Sequence, residues 1–371
     1  MNNTNSFSKT VLQSLGLGET EASVLPVARA ALGLVAILRG WKKNSSKDIV
    51  AMPGAVCHDV VAAVLEAGCR PFFCDVDPFN GLVTKSEWLR ARKAGATAAI
   101  VVHLYGNDAD IETVQHIFPS SECLVIDDAA QALGTKYGTK QVGSGGDVGL
   151  VSFGATKHIS VGGAAILIRN TELLMCAESE VNMMRNVDGT TRAQAAEKFR
   201  RSFESARVNL RESQDNTKFI GLLNGYKAEL YPPLSIMNCE RVEHALRTLP
   251  EVIRQRQKKT KLWGDLLQGC GLVPVGMGEG AVPWRYTCRL PNINWMEQYV
   301  LGEAMRSKGL NVSHWYLPAN WFLKESASHH LSGVEQLARE VFQFWIDEHT
   351  SIKDINDGAM VVHDVIKRFY Q

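Results

Sequence analysis

The feature that most constrains this chain is an alternation, between residues 48 and 170, of short apolar runs with helical patterns. The runs DIVAM, RPFFCDV, TAAIVVHLY, CLVIDD, GLVSFG and AAILIR are apolar at successive positions rather than at every second one. Strands of that kind are buried on both faces, so helices must cover both sides of the sheet they form. Helical patterns near Asp59 to Ala67, Lys85 to Lys93 and Ile111 to Phe118 fall between them. The series predicts an α/β fold around a mainly parallel central sheet.

With 371 residues, 45% of them hydrophobic, the chain is long enough for two lobes. Residues 1–240 are expected to form the large one and 241–371 a smaller α+β one. Helical patterns at Arg241 to Leu266, Asn294 to Lys308, Gly333 to Ile346 and Ile355 to Tyr370 alternate there with the short strands RYTCRLP and NVSHWYLP. The polar stretch from about 178 to 220 reads as a solvated helix or surface excursion without chemistry.

Forty basic and 39 acidic side chains leave a net charge of +1, so no broad field recruits nucleic acid or an anionic membrane. The polar N-terminus lacks a signal-peptide pattern, and the most apolar stretch, Ala30 to Leu38, is too short to span a bilayer. These features read as a soluble, cytoplasmic protein. Eight cysteines without CxxC spacing argue against a zinc site or a disulfide framework. The glycine-rich stretch Gly143 to Gly149 precedes a strand instead of following one, so it reads as a turn and not as a dinucleotide fingerprint.

Ligands of open α/β sheets bind beyond the carboxyl ends of the strands. Two strands end there in chemistry: Val125-Ile126-Asp127-Asp128-Ala129-Ala130-Gln131, and Ser152-Phe153-Gly154-Ala155-Thr156-Lys157. Pyridoxal phosphate needs a lysine amine, a carboxylate against its ring nitrogen, and hydroxyls with a helix N-terminus for its phosphate. Lys157, Asp128 and Ser152 can meet the first needs, with Gln131 at the ring oxygen. Taken singly, an Asp after a strand is usually a helix cap and a lysine usually a solvated surface group.

The stretch VIDDAAQALGTKYGTKQVGSGGDVGLVSFGATKHISVGGAAIL resembles the signature of the DegT/DnrJ/EryC1/StrS aminotransferases. Upstream, the similarity takes in Pro53, Ala67-Gly68-Cys69-Arg70-Pro71, Asp75-Val76-Asp77 and His103-Leu104-Tyr105-Gly106. The resemblance implies a fold type I (aspartate aminotransferase-like) homodimer with active sites at the subunit interface. It implies Lys157 as the lysine carrying pyridoxal phosphate as a Schiff base, Asp128 at the pyridinium nitrogen, Gln131 at the ring hydroxyl and Ser152 on the phosphate. Asp127, where the family usually has Glu, takes a supporting role.

The departures concern neighbouring positions. Val27-Ala28-Arg29 replaces the family's Ser-Gly-Thr, leaving the backbone of Ala28 and Arg29 as phosphate donors. The Arg29 guanidinium either pairs with an anion or is a solvated helix-entry residue. Cys57 stands where an aromatic usually stacks on the cofactor, so His58 is either its substitute or a helix-cap or surface histidine. Asn224 matches an Asn that reaches the neighbouring subunit's phosphate, but Tyr226 replaces the arginine expected after it and Pro232-Pro233 interrupts the segment. Arg285, His314 and Tyr316 are candidates for the substrate side, with a structural aromatic cluster as the alternative for the last two.

The expected activity is transfer of an amino group from an amino acid, glutamate by resemblance, to a keto acceptor, by resemblance a nucleotide-linked keto sugar. Two rivals share the scaffold: dehydration or elimination, in which related enzymes tend to replace the lysine by His, and a non-catalytic regulatory or binding role.

Overall fold

The computed structural model describes residues 2–43, 48–184, 187–231 and 239–370. Pro232 and Pro233 lie outside the described residues. In chain order the first elements are α1 (Asn2–Ser14), β1 (Ser23–Val27), α2 (Ala30–Lys43), β2 (Ile49–Pro53), α3 (His58–Glu66) and β3 (Arg70–Cys74). There follow α4 (Lys85–Lys93), β4 (Ala98–Val102), α5 (Ile111–Ile117), β5 (Leu124–Asp128), and a hairpin of β6 (Lys136–Tyr137) and β7 (Lys140–Gln141). Then come β8 (Val148–Ser152), β9 (Ala164–Ile168), α6 (Thr171–Met183), α7 (Gly189–Ser213), α8 (Lys227–Leu230), α9 (Cys239–Leu246) and α10 (Leu249–Leu266). The last are β10 (Val273–Pro274), β11 (Tyr286–Arg289), α11 (Trp295–Ser307), β12 (Val312–Ser313), α12 (Ser332–Glu340), β13 (Val341–Phe344) and α13 (Ile352–Tyr370).

The central sheet has the order β1-β9-β8-β5-β4-β2-β3. β9 runs antiparallel to both of its neighbours, β1 and β8, and the remaining pairings are parallel. The continuously apolar runs therefore form the mainly parallel, doubly covered sheet that their burial demands. Alternate residues face opposite layers. Ala98, Ile100, Leu124, Ile126, Val148 and Leu150 join one core with α2, α3 and α7. Ala99, Val101 and Val125 face a second core with α4 and α5, while Val151, Ala165 and Leu167 meet α1, α9 and the start of α10. The last of these packings brings Val242 and Leu246, beyond residue 240, onto the N-terminal helix.

A second sheet, β10-β11-β13-β12, is antiparallel throughout and packs under α10, α11 and α13. Two of its expected helices are corrected. The pattern at Arg241 to Leu266 is broken into α9 and α10 because Pro250 cannot donate in a helix interior and instead sits in the first turn of α10. The helix expected over Gly333 to Ile346 ends at Glu340. Val341, Phe342 and Phe344 form the buried strand β13, paired on both sides, where β-branched and aromatic side chains pack best. Among the described residues no helix is long and apolar enough to cross a membrane, no cysteine is in a disulfide, and no cluster could hold a metal ion.

Candidate active site

Strand parity sets the site. Asp128 and Ser152 end β5 and β8 on the same face as Ile126 and Leu150, the face covered by α2. A cavity of about 970 Å³ opens there, lined by Asp128, Ser152 and, from the turn between β8 and β9, Lys157. Ala28 and Arg29 line it just before α2, and His58 lines it from the first turn of α3. Arg285 and Tyr316 close it from the C-terminal part of the chain.

Burial dominates the electrostatics. It lowers the Lys157 amine below the usual lysine value, although Asp128 and Asp59 pull the other way. It raises the Asp128 carboxyl, opposed by the Ala130 N–H at 2.9 Å and by Lys157. It pushes the Cys57 thiol up to about 12, aided by Asp59, so this cysteine is a thiol and not a thiolate.

Arg29 is not a solvated helix-entry residue. Its guanidinium pairs with Asp59 at 2.8 Å, and Asp59 accepts a 2.7 Å hydrogen bond from the Tyr226 hydroxyl. Burial alone would raise the Asp59 carboxyl, but Arg29, His58 and Tyr226 outweigh it and hold it below the ordinary value. Because the Tyr226 proton goes to Asp59, the tyrosine oxygen accepts from His58 Nε2 at 3.2 Å. The His58 ring lies 4.8 Å from Phe199 and 6.1 Å from Trp315, centroid to centroid, and burial lowers its pKa.

Three other expected residues lie off the cavity wall. Gln131 accepts from the Tyr105 N–H at 2.9 Å and donates to the Tyr316 hydroxyl, and so acts on the wall through Tyr316. His314 is buried in the core: its Nδ1 bonds the Val341 carbonyl at 3.0 Å and its ring meets Phe342 edge-on at 4.9 Å. Asn224 is exposed. Asp127, one residue before Asp128, faces the other layer, where it accepts from Gly143 and Gly145 and from His103 at 2.6 Å.

The stretch from 178 to 220, expected to carry no chemistry, reaches the site. Arg192 of α7 lines the cavity, as does Arg241 of α9, and Phe199 and Phe203 wall the His58 ring. Sequence reasoning also missed Asp59, Trp284 and Trp315. The only signal for this group was Tyr226 standing at an arginine position; a lone acid in a helix's first turn looks like a cap, and the tryptophans carry no spacing.

A mostly parallel sheet with a lysine, a carboxylate and a helix start converging at its carboxyl edge defines a class: the pyridoxal phosphate-dependent transferase fold, type I. Within that class, the chain belongs to the DegT/DnrJ/EryC1/StrS aminotransferase family, whose model matches residues 3–357. Over 113 residues it is 36% identical to a pleiotropic regulatory protein of Geobacillus stearothermophilus, covering 30% of each chain. Over 131 residues it is 33% identical to a GDP-perosamine synthase of Escherichia coli O157:H7, covering 35% of this chain and 36% of that one. The matched stretches thus span about a third of those relatives' length. The aminotransferase TlmJ from Streptoalloteichus hindustanus superposes with a TM-score of 0.73 at 21% identity, over 99% of this chain and 91% of that one. DesI, solved in the presence of its TDP-sugar product, gives 0.75 at 16%, over 100% and 86%. At such identities the structural likeness speaks for the fold.

Proposed function

We propose that the protein is a pyridoxal phosphate-dependent aminotransferase moving an amino group from an amino acid, glutamate in the first instance, to a keto sugar, nucleotide-linked by preference. The observation that carries this reading is the convergence of Lys157, Asp128 and Ser152 in one cavity beside the start of α2. That donor set fits the cofactor. The buried Asp128 carboxyl suits a protonated ring nitrogen, while the Ser152 hydroxyl and the first backbone N–H groups of α2 suit a phosphate. His58 and Tyr316 offer ring faces and a hydroxyl on the same walls. When bound, pyridoxal phosphate supplies the electron sink that lets the donor's α-carbon lose a proton.

The chain's own residues do the rest. Lys157 Nζ, whose charged form burial disfavours, accepts the proton that leaves the α-carbon, a general-base contribution of about 10² to 10⁴ in rate. Arg285, stacked between Trp284 at 4.0 Å and Trp345 at 3.8 Å, presents a guanidinium suited to a carboxylate. The homodimer and cytoplasmic location belong to the same reading, in which the exposed Asn224 serves the phosphate of a neighbouring subunit.

Addition of glutamate to the cofactor-loaded protein is expected to bleach the bound cofactor's visible absorbance and release 2-oxoglutarate. The Lys157→Ala variant is expected to lose both the absorbance and the activity. A Lys157→Ala protein that kept both would refute the assignment. A wild type that binds the cofactor but gives no half-reaction points to elimination chemistry. One that never takes up cofactor points to a regulatory role, a reading favoured by the likeness to the Geobacillus regulatory protein.

A further inference from the structure

Thr156, directly before Lys157, has a φ of +68°, a left-handed conformation that a β-branched residue holds only when its surroundings impose it. What imposes it is visible. The Thr156 carbonyl accepts a 2.6 Å hydrogen bond from the Trp284 indole Nε1. Trp284 is itself secured on several sides: its N–H donates to the Tyr105 carbonyl at 2.8 Å and its own carbonyl accepts from Arg256 Nη1 at 2.7 Å. Arg256, 2% exposed, also reaches the Lys157 carbonyl at 3.4 Å. The indole ring lines the cavity and faces Lys157 Nζ at 5.9 Å.

We propose that Trp284 is the positioning residue for Lys157: its indole N–H holds the Thr156 turn in the conformation that aims the amine into the cavity, and its ring forms the wall beside that amine. The inference deepens the aminotransferase reading and rests on it. A line of constraint runs from Tyr105 in the turn beyond β4, through Trp284 just before β11, to the turn after β8. The second sheet's connecting segment thereby reaches the lysine. Since glycine adopts a positive φ without penalty, Thr156→Gly should make the indole tie largely dispensable, and that non-additivity distinguishes positioning from mere packing.

The test compares wild type, Trp284→Phe, Thr156→Gly and the double variant, each checked for thermal unfolding. One readout is the dissociation constant for pyridoxal phosphate. The other needs no cofactor: the pH midpoint for labelling of Lys157 by an amine-reactive reagent, located by peptide mass mapping. Trp284→Phe is expected to weaken cofactor binding about tenfold, the loss of one buried hydrogen bond, and to move the labelling midpoint upward as the released Thr156 turn lets the amine swing toward water. Thr156→Gly should stay close to wild type in both, and the double variant should recover most of the loss. An unchanged midpoint and affinity in Trp284→Phe, or a double variant no better than Trp284→Phe, overturns the proposal. Should Trp284→Phe not fold, the double variant decides: a wild-type midpoint supports the proposal and a raised one overturns it. A wild type that binds no pyridoxal phosphate sinks the proposed function, while the labelling measurement still judges Trp284.

Discussion

Asp127 and Asp128 are adjacent and chemically identical, yet the two-residue period of β5 sends them to opposite layers with opposite tasks. Asp127 is fully buried and accepts from Gly143, Gly145 and His103. The Ala109 N–H points at His103 Nδ1 at 3.0 Å, so the ring proton sits on Nε2 and is donated to Asp127. Asp127→Asn turns one acceptor into a donor facing donors and should cost about 3 kcal/mol, read as a shifted urea midpoint. Asp128→Asn should leave that midpoint nearly unchanged but reduce pyridoxal phosphate affinity, read by absorbance titration. Loss of stability in the second variant alone would reverse the assignment of roles. Asp128, Ser152 and Lys157 were legible as a set, because two apolar strands lead into reactive side chains at a spacing that resembles a family signature. His314 was not: its Val341 and Phe342 partners lie 27 and 28 residues away, and their packing leaves no trace in local pattern.

At the scale of elements, α7 shows how a polar helix takes part in a site. Its N-cap Asp188 accepts from the Thr191 N–H, and Gln214 ends it in a left-handed conformation. Only a narrow stripe, Phe203, Ala206 and Leu210, is fully apolar and buried. Three positions in 25 are too few to stand out in a sequence rich in Arg and Glu. Phe203 nevertheless stacks on Phe322 at 6.3 Å and on Trp315 at 5.9 Å. Phe203→Ala should destabilise the fold by about 3 kcal/mol and loosen α7 over His58. The expected readouts are a lower unfolding midpoint and faster proteolysis within 189–213; an unchanged cleavage rate there would mean that α7 is held by other contacts. The switch from α12 to β13 escaped the sequence reading for a related reason, since VFQF continues an apolar pattern that serves a helix as well as a strand.

Over the whole molecule, the segment after β4 and the segment before β11 make a tight crossing. Gly106, at φ +94°, passes so close to the 282–284 segment that a Cβ there would lie 2.1 Å from the Val282 carbonyl oxygen. Thr135 bridges the crossing: its hydroxyl donates to the Gly106 carbonyl and accepts from the Val282 N–H, each at 2.8 Å. Gly106→Ala should therefore cost at least about 2 kcal/mol through conformation and overlap combined. Because Trp284 and Arg285 hang from this crossing, the variant should also weaken cofactor binding more than an equally destabilising core substitution elsewhere, measured by absorbance titration beside thermal unfolding. The sequence by itself determined the layered α/β sheet and the edge at which chemistry collects, because burial on one face or two is written in local periodicity. Only the tertiary structure decided that Arg192, Arg241, Trp284 and Tyr316 join Lys157 in one cavity, that Gln131 stands behind its wall and that His314 is buried in the core. Those pairings join parts of the chain up to 185 residues apart, as between Gln131 and Tyr316, and long-range packing, which no local pattern encodes, selects them.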